Sequence, residues 1–216
     1  MDNFLNLTAG EISLLREKVP SNCADVDLFA RGKRGIIFKA DYRGKVVVVK
    51  VPRPSSDAPN TSLLEARYLE KANDLGIGPK LYASSDDYVI MEFIEGSLIG
   101  DFLRDISIPV DKVLYVLLGI FHQLVTLDKS GLNKFELTNP YKHIIVKPNF
   151  EPILIDFERA RYTQRPKNVT QFTQYLASKN ILPLLQEKGL LVDLIKFKSA
   201  ISDYLSSGEL HLEQIL

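Results

Sequence analysis

With 216 residues, 45% hydrophobic and 25% charged, the chain has the composition of a folded globular protein, which excludes a collagen-like or disordered polymer. Its 27 Lys and Arg balance 27 Asp and Glu, so no global field draws it to nucleic acid or to an anionic bilayer, and partners must be recognised through local sites. A single cysteine, Cys23, cannot close an intrachain disulfide, and three scattered histidines form no recognisable zinc pattern, so a reducing, cytoplasmic setting is expected. No basic and hydrophobic leader follows Met1, and the longest apolar run, 113–121, is far shorter than a bilayer span; neither export by a standard signal nor membrane insertion is expected.

The first local signal is Thr8-Ala9-Gly10-Glu11, a capping box in which a hydroxyl and a carboxylate satisfy each other's backbone N–H groups. It predicts a short helix ending near Pro20, with residues 1–26 as a helical extension. From 27 to 51 the chain reads as strands: Gly35-Ile36-Ile37-Phe38-Lys39-Ala40, a turn at Tyr42-Arg43-Gly44, then four valines before Lys50 and Val51. Prolines 52, 54 and 59 break that pattern, and a helix is predicted over 62–75, with Leu63, Ala66, Leu69 and Ala72 on one stripe. Strands are predicted over 80–84 and 88–93, before a turn at Glu95-Gly96-Ser97. Thereafter the periodicity is helical, over 98–105, 111–130, 169–180 and 190–206, interrupted by two β-like pieces at 143–146 and 152–156. The layout is α+β, with a strand-rich part at 27–96 and a helical part at 97–216.

Three segments could carry chemistry. Lys50 ends a valine-rich strand and is either a solvated charge or an ammonium aimed at an anion; Glu65, on the following helix, is a suitable partner to orient it. Gly32 and Gly35 flank Lys33 and Arg34, and the loop is either a plain hairpin turn or a backbone cradle for phosphate. Ile153-Leu154-Ile155-Asp156 reads as a buried strand that delivers a carboxylate to its end, where it serves as a helix cap or as a magnesium ligand.

Taken together in this order, the glycine-bearing hairpin, Val47-Val48-Val49-Lys50, Glu65 and Asp156-Phe157-Glu158 resemble the protein-kinase-like fold, with its lysine strand, helix glutamate and D-F-G turn. The resemblance covers about 27–160 and implies a bilobal fold with a β-rich N-lobe and a reduced helical C-lobe. It implies that Val89-Ile90-Met91-Glu92-Phe93-Ile94-Glu95-Gly96 is the gatekeeper and hinge segment, with Met91 as gatekeeper and backbone groups of Glu92 and Ile94 on the adenine edge. The chain is similar to the compact atypical kinases of archaea, the RIO and KEOPS-associated kinases: no A-P-E follows Asp156, and the stretch 161–167 leads almost at once into a helix.

The catalytic loop departs from H-R-D-L-x-x-x-N. Aligning Ile144-Ile145-Val146 puts His143 in the asparagine slot and Thr138 in the aspartate slot, whereas matching Glu136-Leu137 to the D-L requires two extra residues. Glu136 is preferred as the base, since a threonine hydroxyl does not take a proton near neutral pH. His143 is either a metal ligand or a histidine hydrogen-bonded beside a strand; Lys142 is either a neutraliser of phosphoryl charge or solvated; His122 is expected in the core. Glu158, in place of the last glycine of D-F-G, either stiffens that turn or adds a second carboxylate at the metal. The resemblance implies an ATP- and Mg2+-dependent serine/threonine protein kinase, with Mn2+ as an alternative ion and protein Ser/Thr hydroxyls as acceptors. A nucleotide-binding pseudokinase scaffold and a small-molecule kinase are the other readings.

Overall fold

A computed structural model describes residues 7–32, 35–53, 61–190, 194–207 and 209. The chain divides into two compact units, one made of Met1–Asp74 with Pro79–Phe93, the other of Leu75–Gly78 with Ile94–Leu216. It is a mixed α+β protein, with an antiparallel sheet in the N-terminal region and helices after it.

The first unit begins with α1, Ala9–Arg16, opened by the predicted capping box: the Thr8 hydroxyl accepts from the Glu11 N–H at 3.2 Å and Glu11 accepts from the Thr8 N–H at 2.8 Å. Then come β1, Cys23–Arg31; β2, Gly35–Tyr42; β3, Val46–Pro52; α2, Thr61–Asn73; β4, Leu81–Ser84; and β5, Val89–Glu92. The sheet order is β1-β2-β3-β5-β4, every neighbouring pair antiparallel. The β2–β3 hairpin turns where the sequence predicted: Arg43 and Gly44 both take positive φ, 57° and 74°, the primed turn that matches strand twist. Residues 23–26, expected within a helical extension, instead begin β1, where Cys23 and Ala24 pair with Tyr42 and Asp41 before a register irregularity. Edge strand β1 is mostly exposed, and this weak hydrophobic alternation is why its start was not legible.

Alternation along β3 sorts its residues. Val47, Val49 and Val51 are buried with Ile36, Phe38, Ala40, Ile90 and Leu15 of α1, so the N-terminal helix packs onto this unit's own sheet. Lys50 points to the opposite face, with α2. On α2 the buried residues are Ser62, Glu65, Ala66, Leu69 and Ala72, whereas Leu63, expected in the stripe, is exposed. The helix is turned so that Glu65 takes an inward position beside Ala66 and Leu69.

The second unit contains β6, Ser97–Leu98; α3, Ile99–Arg104; α4, Val110–Lys129; β7, Leu132–Asn133; β8, Ile144–Val146; β9, Pro152–Leu154; β10, Arg161–Tyr162; α5, Asn168–Leu176; α6, Leu182–Glu187; and α7, Leu194–Ser207. Helix α4 is long and apolar enough, by length and composition, to cross a membrane. Here its stripe Val113, Val116, Leu117, Ile120, Phe121, Leu124 and Leu127 is buried at helical spacing, and Phe121 meets Phe172 of α5 edge-on at 5.3 Å. His122 falls off that stripe and is exposed, which corrects the expected core position. Strands β6, β8 and β9 form a three-stranded sheet, and β7 pairs with β10 in a two-stranded one. The two-residue strands and α6 were not predicted, because elements that short carry no readable period.

Candidate active site

In the first unit, register determines the position of Lys50. It lies on the central strand β3 opposite Ile37 and Val89, and its ammonium sits 2.7 Å from the Glu65 carboxylate. Glu65's side chain is 4% exposed and that of Lys50 19%, so this is a largely desolvated pair, costly unless charge and hydrogen bonds compensate. Structure at this level serves to aim an ammonium: the carboxylate fixes the direction of a flexible four-carbon stem.

Close packing is one reason for glycine at the first hairpin. A Cβ on Gly35 would come 2.7 Å from the Val51 carbonyl oxygen, so strand crossing alone demands glycine there, while the Gly32 N–H donates to the Gly35 carbonyl at 2.9 Å. Lys33 and Arg34 lie outside the described residues. Met91 is buried on β5 opposite Val48. The Glu92 N–H donates to the Lys80 carbonyl at 2.8 Å, and its carboxylate accepts from the Lys80 N–H; Ile94, the first residue past this unit, is half-buried.

In the second unit, pairing of β8 with β9 brings the loop histidine to the strand-end aspartate. Ile144 is opposite Leu154, and the Ile155 N–H donates to the His143 carbonyl at 2.9 Å. Consequently His143 Nδ1 lies 3.6 Å from the Asp156 carboxylate, while its Nε2 lies 3.9 Å from Glu136. Ligand atoms of Glu136, His143 and Asp156 all fall within 4.8 Å of one another, and Glu158 brings a further carboxylate within 4.8 Å of Asp156. Thr138 and Lys142 are exposed. Arg159, not singled out from sequence, pairs with Glu136 at 3.3 Å.

The loop that carries Glu136 is strained and held. Phe135 and Glu136 have φ of 63° and 59°, and Asp156 has 64°, the left-handed region that costs a non-glycine residue about 1–2 kcal/mol. The backbone on either side is gripped by α5: the Lys134 N–H donates to Asn168 Oδ1 at 2.7 Å, and the Leu137 N–H to Gln171 Oε1 at 3.2 Å. Asn168 and Gln171 are three apart and so share one helix face. Asn168 is itself set by Asp128, whose carboxylate accepts from the Asn168 N–H, the Asn168 amide, the Val169 N–H and the Tyr204 hydroxyl, at 2.7–3.2 Å. Burial raises the Asp128 pKa above its ordinary value, and these donors oppose the rise. Lys134, 0% exposed, runs beneath the site and donates to the Asp156 carbonyl at 3.0 Å, with its ammonium over the Phe157 ring.

Beside Glu136 opens a hollow of about 560 Å³, lined by Phe135, Glu136, Thr138, Arg159, Arg161, Lys167 and the exposed face of α5.

No family model matches the chain. Over 187 residues it is 24% identical to a Bacillus subtilis (strain 168) protein named "Putative serine/threonine-protein kinase YrzF", a match that covers 84% of this chain and 82% of that protein. This weak similarity fits a kinase-like fold.

Proposed function

We propose that the chain is an ATP-dependent phosphotransferase that acts on Ser/Thr hydroxyls of proteins, with a kinase-like fold of the compact atypical kind. The observation that carries this reading is the Glu136–His143–Asp156 cluster: a base, an imidazole and a strand-end acid within 4.8 Å, on a loop held in a strained conformation. The Lys50–Glu65 pair supports it, as does the similarity to a protein whose name says kinase. The short stretch from Asp156 to α5 is in keeping with the RIO and KEOPS-associated kinases, and leaves little segment for phosphorylation to order.

On this reading the Lys50 ammonium holds the ATP phosphates and Glu65 orients it. Backbone groups of Glu92 and Ile94 take the adenine edge, with Met91 behind it, and the backbone at Gly32 and Gly35 approaches the phosphates. The carboxylates of Asp156 and Glu158 fit a hard divalent cation such as Mg2+, whereas the His143 imidazole suits Mn2+ better. When bound, such an ion supplies neutralisation of phosphate charge. Glu136 positions the acceptor hydroxyl: as its oxygen bonds to the γ-phosphorus, the bond to the ADP oxygen breaks, ADP leaves with that electron pair, and the hydroxyl proton passes to the Glu136 carboxylate. Arg159 restrains that carboxylate.

The test is transfer of label from γ-labelled ATP to a Ser/Thr protein acceptor. Lys50→Ala and Asp156→Ala should each lower transfer by about 100-fold or more with unchanged circular dichroism. Undiminished turnover in either variant removes the assignment.

A further inference from the structure

The hollow beside Glu136 has a charge that the chain as a whole lacks. Overall the chain carries 27 cationic and 27 acidic residues, yet the lining of this 560 Å³ space holds Arg159, Arg161 and Lys167 against one acid, Glu136. Arg159 pairs with that acid at 3.3 Å, which leaves the charges of Arg161 and Lys167 unbalanced among the lining residues. The Arg161 guanidinium carbon lies over the Phe135 ring, 4.9 Å from its centroid, a cation–π contact that restrains the head group beside the hollow. Lys167 immediately precedes α5, and its N–H donates to Asn133 Oδ1 at 2.8 Å, so the base of its side chain is fixed on the hollow's wall.

We propose that this hollow is the acceptor site and selects a peptide whose hydroxyl residue is flanked by acidic side chains. The inference rests on the kinase reading, since it is Glu136 that makes this wall the acceptor's side. An acceptor with a carboxylate close to its hydroxyl places negative charge against Arg161 and Lys167 while the hydroxyl faces Glu136; an acceptor flanked by lysines meets like charge. Because the cations are exposed, each contact is worth a few-fold, and two together about tenfold in affinity, falling with added salt.

The test uses fluorescence anisotropy with the full chain and labelled peptides identical except for the residues flanking one serine: a Glu and a Gln peptide form the main pair, and a Lys peptide serves the charge-reversed variant. The acidic peptide should bind about tenfold tighter at low salt, and R161Q/K167Q should bring the two affinities together. In R161E/K167E the order should reverse for a Lys-flanked peptide, an outcome that mere loss of structure does not produce. Equal affinities in the wild type, or a preference that survives both double variants, overturn the proposal. Transfer from ATP to the same peptides separates the two readings: acidic preference without transfer keeps this site and removes the kinase, and transfer without acidic preference does the reverse.

Discussion

Asp128 lies outside the cluster of acids and imidazole and is expected to decide whether that cluster forms. Its carboxylate accepts four donors, from the Asn168 N–H and amide, the Val169 N–H and the Tyr204 hydroxyl. Asp128→Ala leaves these donors without their acceptor, although the Asn168 amide also donates to the Leu132 carbonyl. A buried donor left unpaired costs about 1–3 kcal/mol; counting partial rescue by water, the loss should be about 3–5 kcal/mol, roughly 10 °C or more in Tm for a chain of this size. Asp128→Asn keeps one oxygen for Asn168, and the Tyr204 hydroxyl can turn to accept from the new amide, which leaves the Val169 N–H as the main loss. That variant should cost about 1–2 kcal/mol, roughly 3–6 °C. Thermal unfolding followed by circular dichroism measures both. An alanine variant that melts within about 2 °C of wild type, or an asparagine variant as damaged as alanine, would refute the reasoning.

The same carboxylate gives a pH signature: burial raises its pKa from the ordinary 3.8, so between that value and the folded pKa the folded chain holds a proton that the unfolded chain has released. Stability therefore falls as pH rises through the folded pKa, and the difference between wild-type and Asp128→Asn melting temperatures should shrink as pH rises across that window; a difference that widens contradicts the sign. Lys134→Met keeps the volume of the buried side chain but removes the bond to the Asp156 carbonyl, so unfolding free energy should change by no more than about 1 kcal/mol while phosphoryl transfer drops at least about tenfold. Stability and activity falling together would show a structural role only. Glu136→Gln keeps the shape of the side chain and removes the proton acceptor, so kcat should fall about 100-fold with little change in the KM for ATP, measured by steady-state kinetics; an unaltered kcat moves the base elsewhere.

The first sheet was readable because its signals are local. Four valines, an Arg43-Gly44 turn and a lysine at the strand's end define a hairpin within twenty residues, and α4 shows its stripe over about four turns. Glu65 was readable from the resemblance, and of the apolar stripe expected on α2, Ala66, Leu69 and Ala72 are buried while Leu63 is exposed. Lys134 was missed because a lysine between Asn133 and Phe135 in a polar stretch reads as solvated. Its burial depends on Asn168, 34 residues away, and on Asp156, 22 residues away. Asn168 and Gln171 had a faint signal, two amides three apart at a helix start, which gains meaning only once the loop they hold is known. Arg159 and Arg161 looked like ordinary charges after the aspartate, and only the fold gathers them with Lys167 around one hollow.

The central claim is that this chain moves the γ-phosphoryl group of ATP to a hydroxyl, and the most direct measurement is a mass balance. Wild-type protein, ATP, Mg2+ and a serine-containing acceptor are incubated together, and ADP and phosphorylated acceptor are quantified by mass spectrometry. ADP and phospho-acceptor formed one to one, and lost together in Asp156→Ala, is the predicted result; ATP bound but left intact across a broad set of acceptors, with either ion, would contradict it.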